Sequence, residues 1–215
     1  MTEFKQSYTG PRGDLARLVP ASCRSFLDVG CATGELGASL KRARPGAHVV
    51  GIELDAAMAA EAAGKLDRVL TGDAGTMLDE LVGERFDCVL CGDVLEHLVD
   101  PWDVVRRLAE LLEPGGYIAA SIPNVGHLDT LVSVFLRRRW PYRERGVHDR
   151  THLRWFARRN VLDLFGQAGL EIVELRRNVR IVERPHGLNR LARFAALPGL
   201  RDLLTFQFLV LARRS

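Results

Sequence analysis

The sequence predicts an α/β protein built on a doubly wound, mostly parallel sheet, and three observations carry that expectation. Short apolar runs alternate with amphipathic stretches of helical period, which reads as successive βα units. The run Phe86 to Cys91 is almost continuously apolar, as expected of a strand covered on both faces. Four acids, Asp28, Glu53, Asp73 and Asp93, each stand at or just past the end of a predicted strand. Ligands of open α/β sheets bind along that carboxyl edge.

Taken in order, Leu15, Leu18 and Val19 mark a first helix that ends near Pro20. Strand one is Phe26 to Val29. The helix after Gly34 runs through Leu36, Leu40 and Ala43 to the Pro45-Gly46 stop. Strand two, His48 to Ile52, ends in Glu53, and an alanine-rich helix follows from Ala56 to Leu66. Strand three is Arg68 to Thr71, before Gly72-Asp73-Ala74. Strand four is Phe86 to Cys91. Asp100-Pro101 then opens a helix as N-cap and first-turn proline, which should stop at Pro114-Gly115-Gly116. Strand five is Tyr117 to Ile122. Past Pro123-Asn124 the regular pattern breaks, over residues 125–157. It resumes with a helix from Arg159 to Gln167, a strand from Leu170 to Leu175, a loop and amphipathic helix over 182–203 (Leu188, Leu191, Phe194, Leu197), and a last strand from Phe206 to Ala212.

At 215 residues the chain can bury its own core, and 47% hydrophobic with 27% charged residues is the balance of a soluble globular domain. No apolar run approaches the ~20 residues needed to cross a bilayer. Met1-Thr2-Glu3-Phe4-Lys5 lacks a signal-peptide pattern, so a cytoplasmic location is expected. Cys88 and Cys91 form a C-x-x-C inside a strand. Three residues apart, they point to opposite faces, which reads as packing rather than a metal or redox pair. Charge is uneven: residues 1–120 hold 12 basic and 19 acidic side chains, residues 121–215 hold 18 and 8. The basic half suits an anionic or hydrogen-bonding substrate, or is a solvated arginine surface.

The stretch Asp28-Val29-Gly30-Cys31-Ala32-Thr33-Gly34 joins strand one to its helix through small residues, which let backbone approach a ligand. A dinucleotide fingerprint does not fit, because position 32 is Ala and the next glycine after Gly30 comes four residues on. Asp28 would repel a pyrophosphate and favours a ligand carrying positive charge. The stretch resembles the first motif of class I S-adenosylmethionine-dependent methyltransferases, acid-x-Gly-x-Gly-x-Gly, with Ala32 at the middle glycine. Phe86-Asp87, Gly92-Asp93-Val94-Leu95-Glu96-His97-Leu98 and Leu112 to Asn124 resemble that family's fourth motif and following strand. Asp149-Arg150-Thr151-His152-Leu153-Arg154-Trp155-Phe156 is similar to a segment of a small-molecule subgroup tied to saccharides or surface glycans, with relatives on quinone precursors.

The resemblance, which covers nearly the whole chain from residue 8 onward but not 180–205, implies one Rossmann-like methyltransferase domain over 1–215. It implies seven strands with the last antiparallel. The segments 125–157 and 182–203 would be inserted lids that choose the substrate. The resemblance also implies S-adenosyl-L-methionine as cofactor. Glu53 would accept both ribose hydroxyls and Asp73 the adenine amino group. Asp28 and the Gly30 loop would hold the methionine ammonium, and Arg12 the methionine carboxylate. Cys31, Ala32, Gly34, Leu54, Ala74, Gly92 and Asp93 complete the expected cofactor set. Because the sulfonium methyl is already activated, the protein would mainly supply alignment. A hydroxyl nucleophile also benefits from a base, for which His97, His148 and His152 are the candidates. A divalent ion on Asp93, Glu96 and His97, at i, i+3 and i+4, with a further histidine from the insertion, is a second reading. Metal-free transfer is favoured over it, because many metal-free relatives share Leu-Glu-His-Leu.

The expected acceptor is a small-molecule hydroxyl. Arg137 to Arg145 with Trp140 and Tyr142 would suit an RNA methyltransferase, although a net charge of +3 argues against nucleic acid. A catalytically silent cofactor-binding regulator is a third reading. The stretch 187–204, with Arg190, Arg193 and Arg201, would pack as a lid or touch a membrane surface.

Overall fold

The computed structural model describes residues 10, 12–181, 187, 189 and 200–215. Seven strands, β1 (Ser25–Val29), β2 (His48–Glu53), β3 (Arg68–Thr71), β4 (Phe86–Gly92), β5 (Leu112–Pro123), β6 (Leu170–Val179) and β7 (Thr205–Arg214), form one sheet in the order β3-β2-β1-β4-β5-β7-β6. The first five pair in parallel, while β7 lies antiparallel between β5 and β6. The order reverses between β1 and β4, which makes their carboxyl ends the switch point.

Local chemistry sets the helices. Among them, α1 (Gly13–Ala16), α2 (Glu35–Ala43), α3 (Ala56–Ala63) and α4 (Ala74–Met77) frame β1 to β3. Further on come α5 (Pro101–Glu110), α6 (Leu128–Leu131), α7 (Arg158–Gln167) and α8 (Arg201–Leu204). Asp55 caps α3 by accepting from Ala57 and Met58 N–H, and Asp100 caps α5 by accepting from Asp103 N–H. Strand alternation divides the core. Leu27, Val29, Val89, Cys91, Ile118, Ile122 and Phe208 face α5 and α7, while Phe26, Val49, Cys88, Leu90 and Leu209 face α1 and α2. Cys88 and Cys91 therefore lie in opposite cores, and all four cysteines are buried and unbonded.

Several boundaries differ from expectation, and β6 runs on to Val179, beyond the expected end at Leu175. The first helix is one turn, α3 stops at Ala63, and α5 ends at Glu110. Pro114-Gly115-Gly116 sits inside β5, where Phe86 already pairs with Leu112 and the register shifts before Cys88 meets Tyr117. Gly115, at φ 77°, absorbs that irregularity.

Register brings the site to one edge. Glu53 pairs with Thr71, Gly92 with Ser121 and Pro123 with Gln207, so these residues lie at or near the ends of neighbouring strands. Val179 pairs with Thr205 on that edge, so the 180–204 connection leaves and returns there. Most of the 182–203 segment, including Leu188, Leu191, Phe194 and Leu197, lies outside the described residues. The 125–157 insertion is closed at its base: Asn124 bridges Phe156, and Val125 N–H donates to Phe156 O at 2.9 Å.

Candidate functional site

The turn after β1 is held from below. Gly30 and Cys31 N–H both donate to Ile52 O, at 2.8 and 3.0 Å. Gly30, Ala32 and Gly34 all take left-handed backbone, with φ of 71°, 48° and 77°. A Cβ on Gly30 would come within 2.8 Å of Val94 Cγ2, so the turn packs directly on the residue after Asp93. Glu53 closes the turn from the side: one carboxylate oxygen accepts from Ala32 N–H and the other from Asp55 N–H, each at 2.9 Å. Each oxygen keeps a further lone pair. Leu54 beside it is exposed, and Asp73 caps α4 ahead of buried Ala74 by accepting from Thr76 N–H.

Asp28 lies beneath this turn. It is buried, and its Oδ2 has no hydrogen-bond partner. Burial pushes the carboxyl up to about 7; the nearby Arg12 charge pulls it down and the Glu53 charge pushes it further up. A buried carboxyl with one oxygen unsatisfied, under a cradle too tight for side chains, suits a ligand with an ammonium group.

Arg12 is held by protein. Its Nη1 donates to Asp93 at 2.6 Å, its Nη2 to Ser121 Oγ at 2.8 Å, and its Nε to Asp14 at 3.2 Å. Asp93, at a left-handed φ of 55° beside Gly92, also accepts from Ser121 Oγ and from Gln207 Nε2. Gln207 and Asp14 in turn accept from Asn178 Nδ2. This clasp joins the N-terminal segment to β4, β5, β6 and β7.

Past Asp93 the chain makes one tight turn, Leu95–His97, and Glu96 points inward. Neither Glu96 oxygen has a hydrogen-bond partner, and burial with the Asp93 charge holds its carboxyl well above the usual range. Ligand atoms of Glu96, His97 and His152 all lie within 4.8 Å of one another, and the two imidazoles meet edge to face at 4.7 Å. Such a set of donors fits a divalent ion. Asp93, expected in that set, is committed to the clasp, while His152 is the further histidine expected from the insertion.

The three candidate histidines differ in surroundings. His148 is fully buried away from the cluster, against Trp140 and 3.0 Å from Thr130 Oγ1. His152 Nδ1 faces Val147 O at 3.2 Å. Burial pushes both down to about 4. His97 is half-buried, and its Nδ1 lies 3.3 Å from Thr151 O and 3.2 Å from Thr151 Oγ1. That hydroxyl already donates to Asp149 Oδ1 at 2.6 Å. Both neighbours of Nδ1 are therefore acceptors, which places the hydrogen on Nδ1 and leaves Nε2 basic.

Sequence reasoning missed Ser121, Gln207 and Asn178, which no local motif marks. It quoted Asp149 and Thr151 without a role; the Asp-x-Thr spacing of an Asx turn, with Thr151 N–H donating to Asp149, is the signal that could have found them.

A family model described as "Methyltransferase domain" matches residues 5–175. The chain is 38% identical over 119 residues to a ubiquinone biosynthesis O-methyltransferase of Xanthomonas axonopodis pv. citri, covering 51% of this chain and 46% of that protein. It is 32% identical over 170 residues to the protein of the same name from Thiobacillus denitrificans, covering 73% and 68%. The chain thus spans about half the length of the first of these relatives and about two thirds of the second. A solved structure titled as a SAM dependent methyltransferase from Archaeoglobus fulgidus shares the fold, with a TM-score of 0.69, 20% identity and 98% coverage of both chains.

Proposed function

Because the chain belongs to the S-adenosylmethionine-dependent methyltransferases, we propose that it methylates a hydroxyl on a small molecule, with His97 as the base. The carrying observation is the His97 environment: Nδ1 faces two acceptors, and Nε2 is left to take a proton. Bound cofactor supplies a methyl group on a sulfonium, already activated for attack. The Asp28 carboxyl, whose Oδ2 has no hydrogen-bond partner, and the Gly30 cradle fit its cationic amino-acid end. Glu53 offers its remaining lone pairs to the ribose hydroxyls, with Leu54 and Ala74 as apolar neighbours, and Asp73 faces the base. Cys31, Ala32 and Gly34 shape the cradle, and Gly92 and Asp93 close its far side. Arg12 acts through the clasp, fixing Asp93 and hence Val94 against Gly30.

On the acceptor side, Nε2 of His97 takes the hydroxyl proton, and the Glu96 carboxyl lies within 4.8 Å of a nitrogen of that ring. His148 and His152 position the 125–157 segment, which serves with 182–203 as the acceptor lid. The relatives named for ubiquinone biosynthesis O-methylation support a phenolic hydroxyl.

The test is release of S-adenosylhomocysteine from labelled cofactor against a panel of phenols, saccharides and carboxylic acids. His97→Gln is expected to lower kcat by about 10² to 10⁴ while calorimetric binding of S-adenosylhomocysteine is unchanged. Thr151→Val should cost less, since it loosens the ring without removing it. Unchanged turnover in His97→Gln, or methyl recovered on nitrogen or carboxylate, would overturn the reading. No turnover of any acceptor class would favour the silent regulator.

One observation favours a second reading. Glu96, His97 and His152 converge within 4.8 Å around a carboxyl with no hydrogen-bond partner. A divalent ion held there would lower the pKa of the acceptor hydroxyl. Activity lost on chelation and restored by added metal would decide for it.

A further inference from the structure

The 125–157 insertion carries its most exposed apolar side chains next to its least compensated charges. α6 continues as a widened turn over Val132–Leu136 and stops at Arg137, with Arg138 in left-handed backbone at φ 53°. Beyond the buried Ser133, this turn projects six consecutive exposed residues, Val134 to Arg139. Phe135 is 73% exposed and Leu136 78%, and Tyr142 a few residues on is 73% exposed. Elsewhere in the structure large apolar side chains at this exposure are single residues on separate loops, such as Leu54 and Val82. An adjacent Phe-Leu pair at a chain tip exposes more apolar surface than its own packing requires.

The charges beside it point to one kind of surface. The guanidinium groups of Arg137, Arg138 and Arg139 make no ion pair among the described residues. The acids nearest in sequence are already paired: Asp129 with Arg143 at 2.7 Å, and Glu144 with Arg150 at 2.5 Å. Arg137 and Arg139 line an open cleft of about 570 Å³ with Trp140, Pro141, Tyr142 and Arg143. Apolar tip residues, aromatic walls with polar ends and unpaired arginines form the pattern of a segment that sits in the headgroup layer of a bilayer.

We propose that the tip Val134–Tyr142 docks the protein on an anionic lipid surface. Phe135 and Leu136 enter the boundary of the acyl region, and Arg137, Arg138 and Arg139 meet lipid phosphates. The tip is tied to the candidate acceptor side. Thr130 bonds His148, and Trp140 stands edge to face on Trp155 at 5.7 Å, in the segment whose Leu153 and Arg154 N–H groups donate to Glu96 O. Docking would therefore hold the acceptor side toward the bilayer. The surface itself does not depend on which acceptor is methylated.

The experiment is co-sedimentation of the full chain with vesicles of phosphatidylcholine alone or mixed with phosphatidylglycerol. The wild type should bind the anionic vesicles and release with rising salt, and it should bind neutral vesicles weakly. The triple variant R137Q/R138Q/R139Q should lower partition onto anionic vesicles on the order of 100-fold. The double variant F135S/L136S should lose binding even at low salt. Thermal melting and S-adenosylhomocysteine binding confirm that both variants are folded. Absence of wild-type binding to anionic vesicles, or equal binding by wild type and both variants, would overturn the proposal. So would binding of a single-stranded oligonucleotide that the same variants abolish while vesicle binding is absent, which would assign the surface to nucleic acid.

Discussion

Ala32 shows how much a single position can carry. Its backbone is left-handed at φ 48°, where an L-residue with a Cβ is strained by about 1 to 2 kcal/mol, and its N–H donates to Glu53. Glycine there would relieve that strain at an entropic cost of about 0.5 to 1 kcal/mol. Ala32→Gly is therefore expected to stabilise the protein by about 0.5 to 1 kcal/mol, read as a melting temperature higher by roughly 1 to 4 °C. Asp28 gives a prediction in pH. Its carboxyl moves from 3.8 to about 7 on folding, so between those values the folded chain holds a proton that the unfolded chain has lost. Its contribution to stability therefore falls as pH rises through that window. A ligand that brings an ammonium to Asp28 needs the carboxylate, so binding releases the proton. Affinity for S-adenosylhomocysteine should tighten as pH rises toward 7, by up to about tenfold per unit, and Asp28→Asn should flatten the profile. Calorimetry in buffers of different ionisation enthalpy counts the proton. At this scale the sequence displayed Asp28, Glu53 and Asp73, because strand ends are visible in hydropathy. The partners of Arg12 were hidden: Asp93 and Ser121 lie 81 and 109 positions away, and only the sheet brings them together.

The insertion is the element whose stability depends most on buried histidines. His148 and His152 fall from an ordinary 6.5 to about 4 on burial, so each must stay neutral for 125–157 to hold its shape. Between pH 6.5 and 4 the unfolded segment takes up protons that the folded one refuses, and the stability present above 6.5 is lost as pH falls. Hydrogen exchange across 125–157 should accelerate between pH 6.5 and 5 ahead of exchange in β1 and β4, and His148→Gln should blunt that response. A segment that opens no faster than the sheet would contradict it. Periodicity located the strands well, since β1 to β4 each hold two or more residues with opposite faces assigned by parity. It misjudged β5, because Pro114-Gly115-Gly116 is a stop signal by local chemistry. Pairing of Phe86 with Leu112 overrides that signal, and a register shift absorbs the misfit. Nor could periodicity give the path of 125–157, whose closure rests on Asn124 meeting Phe156 across more than thirty intervening residues.

For the molecule as a whole, β7 decides completion. β6 pairs with no strand but β7 among the described residues, and the core side chains Phe208 and Val210 come from β7 itself. A chain ended at Leu204 should lose cooperative urea unfolding altogether, because β5 and β6 would both present bare edges. A clean two-state transition in that truncation would show that the sheet closes without its seventh strand. The alternation of strands and helices made the sheet legible, and hydropathy sufficed for its strand count. The antiparallel course of the last strand came through family resemblance, but its place between β5 and β6 came only with the structure, since order in a sheet leaves no local mark. The burial of all four thiols has a practical outcome: the protein contains its own stopwatch. Cys88 and Cys91 lie inside the sheet, so an alkylating dye can reach them only when the sheet parts. Cys31 sits in the cradle, with its sulfur 2.7 Å from where a Cβ on Gly51 would stand, so the dye reaches it whenever that turn lifts. In a mass spectrum the two rates separate, and one untagged sample then times the flicker of the cradle and the parting of the core side by side.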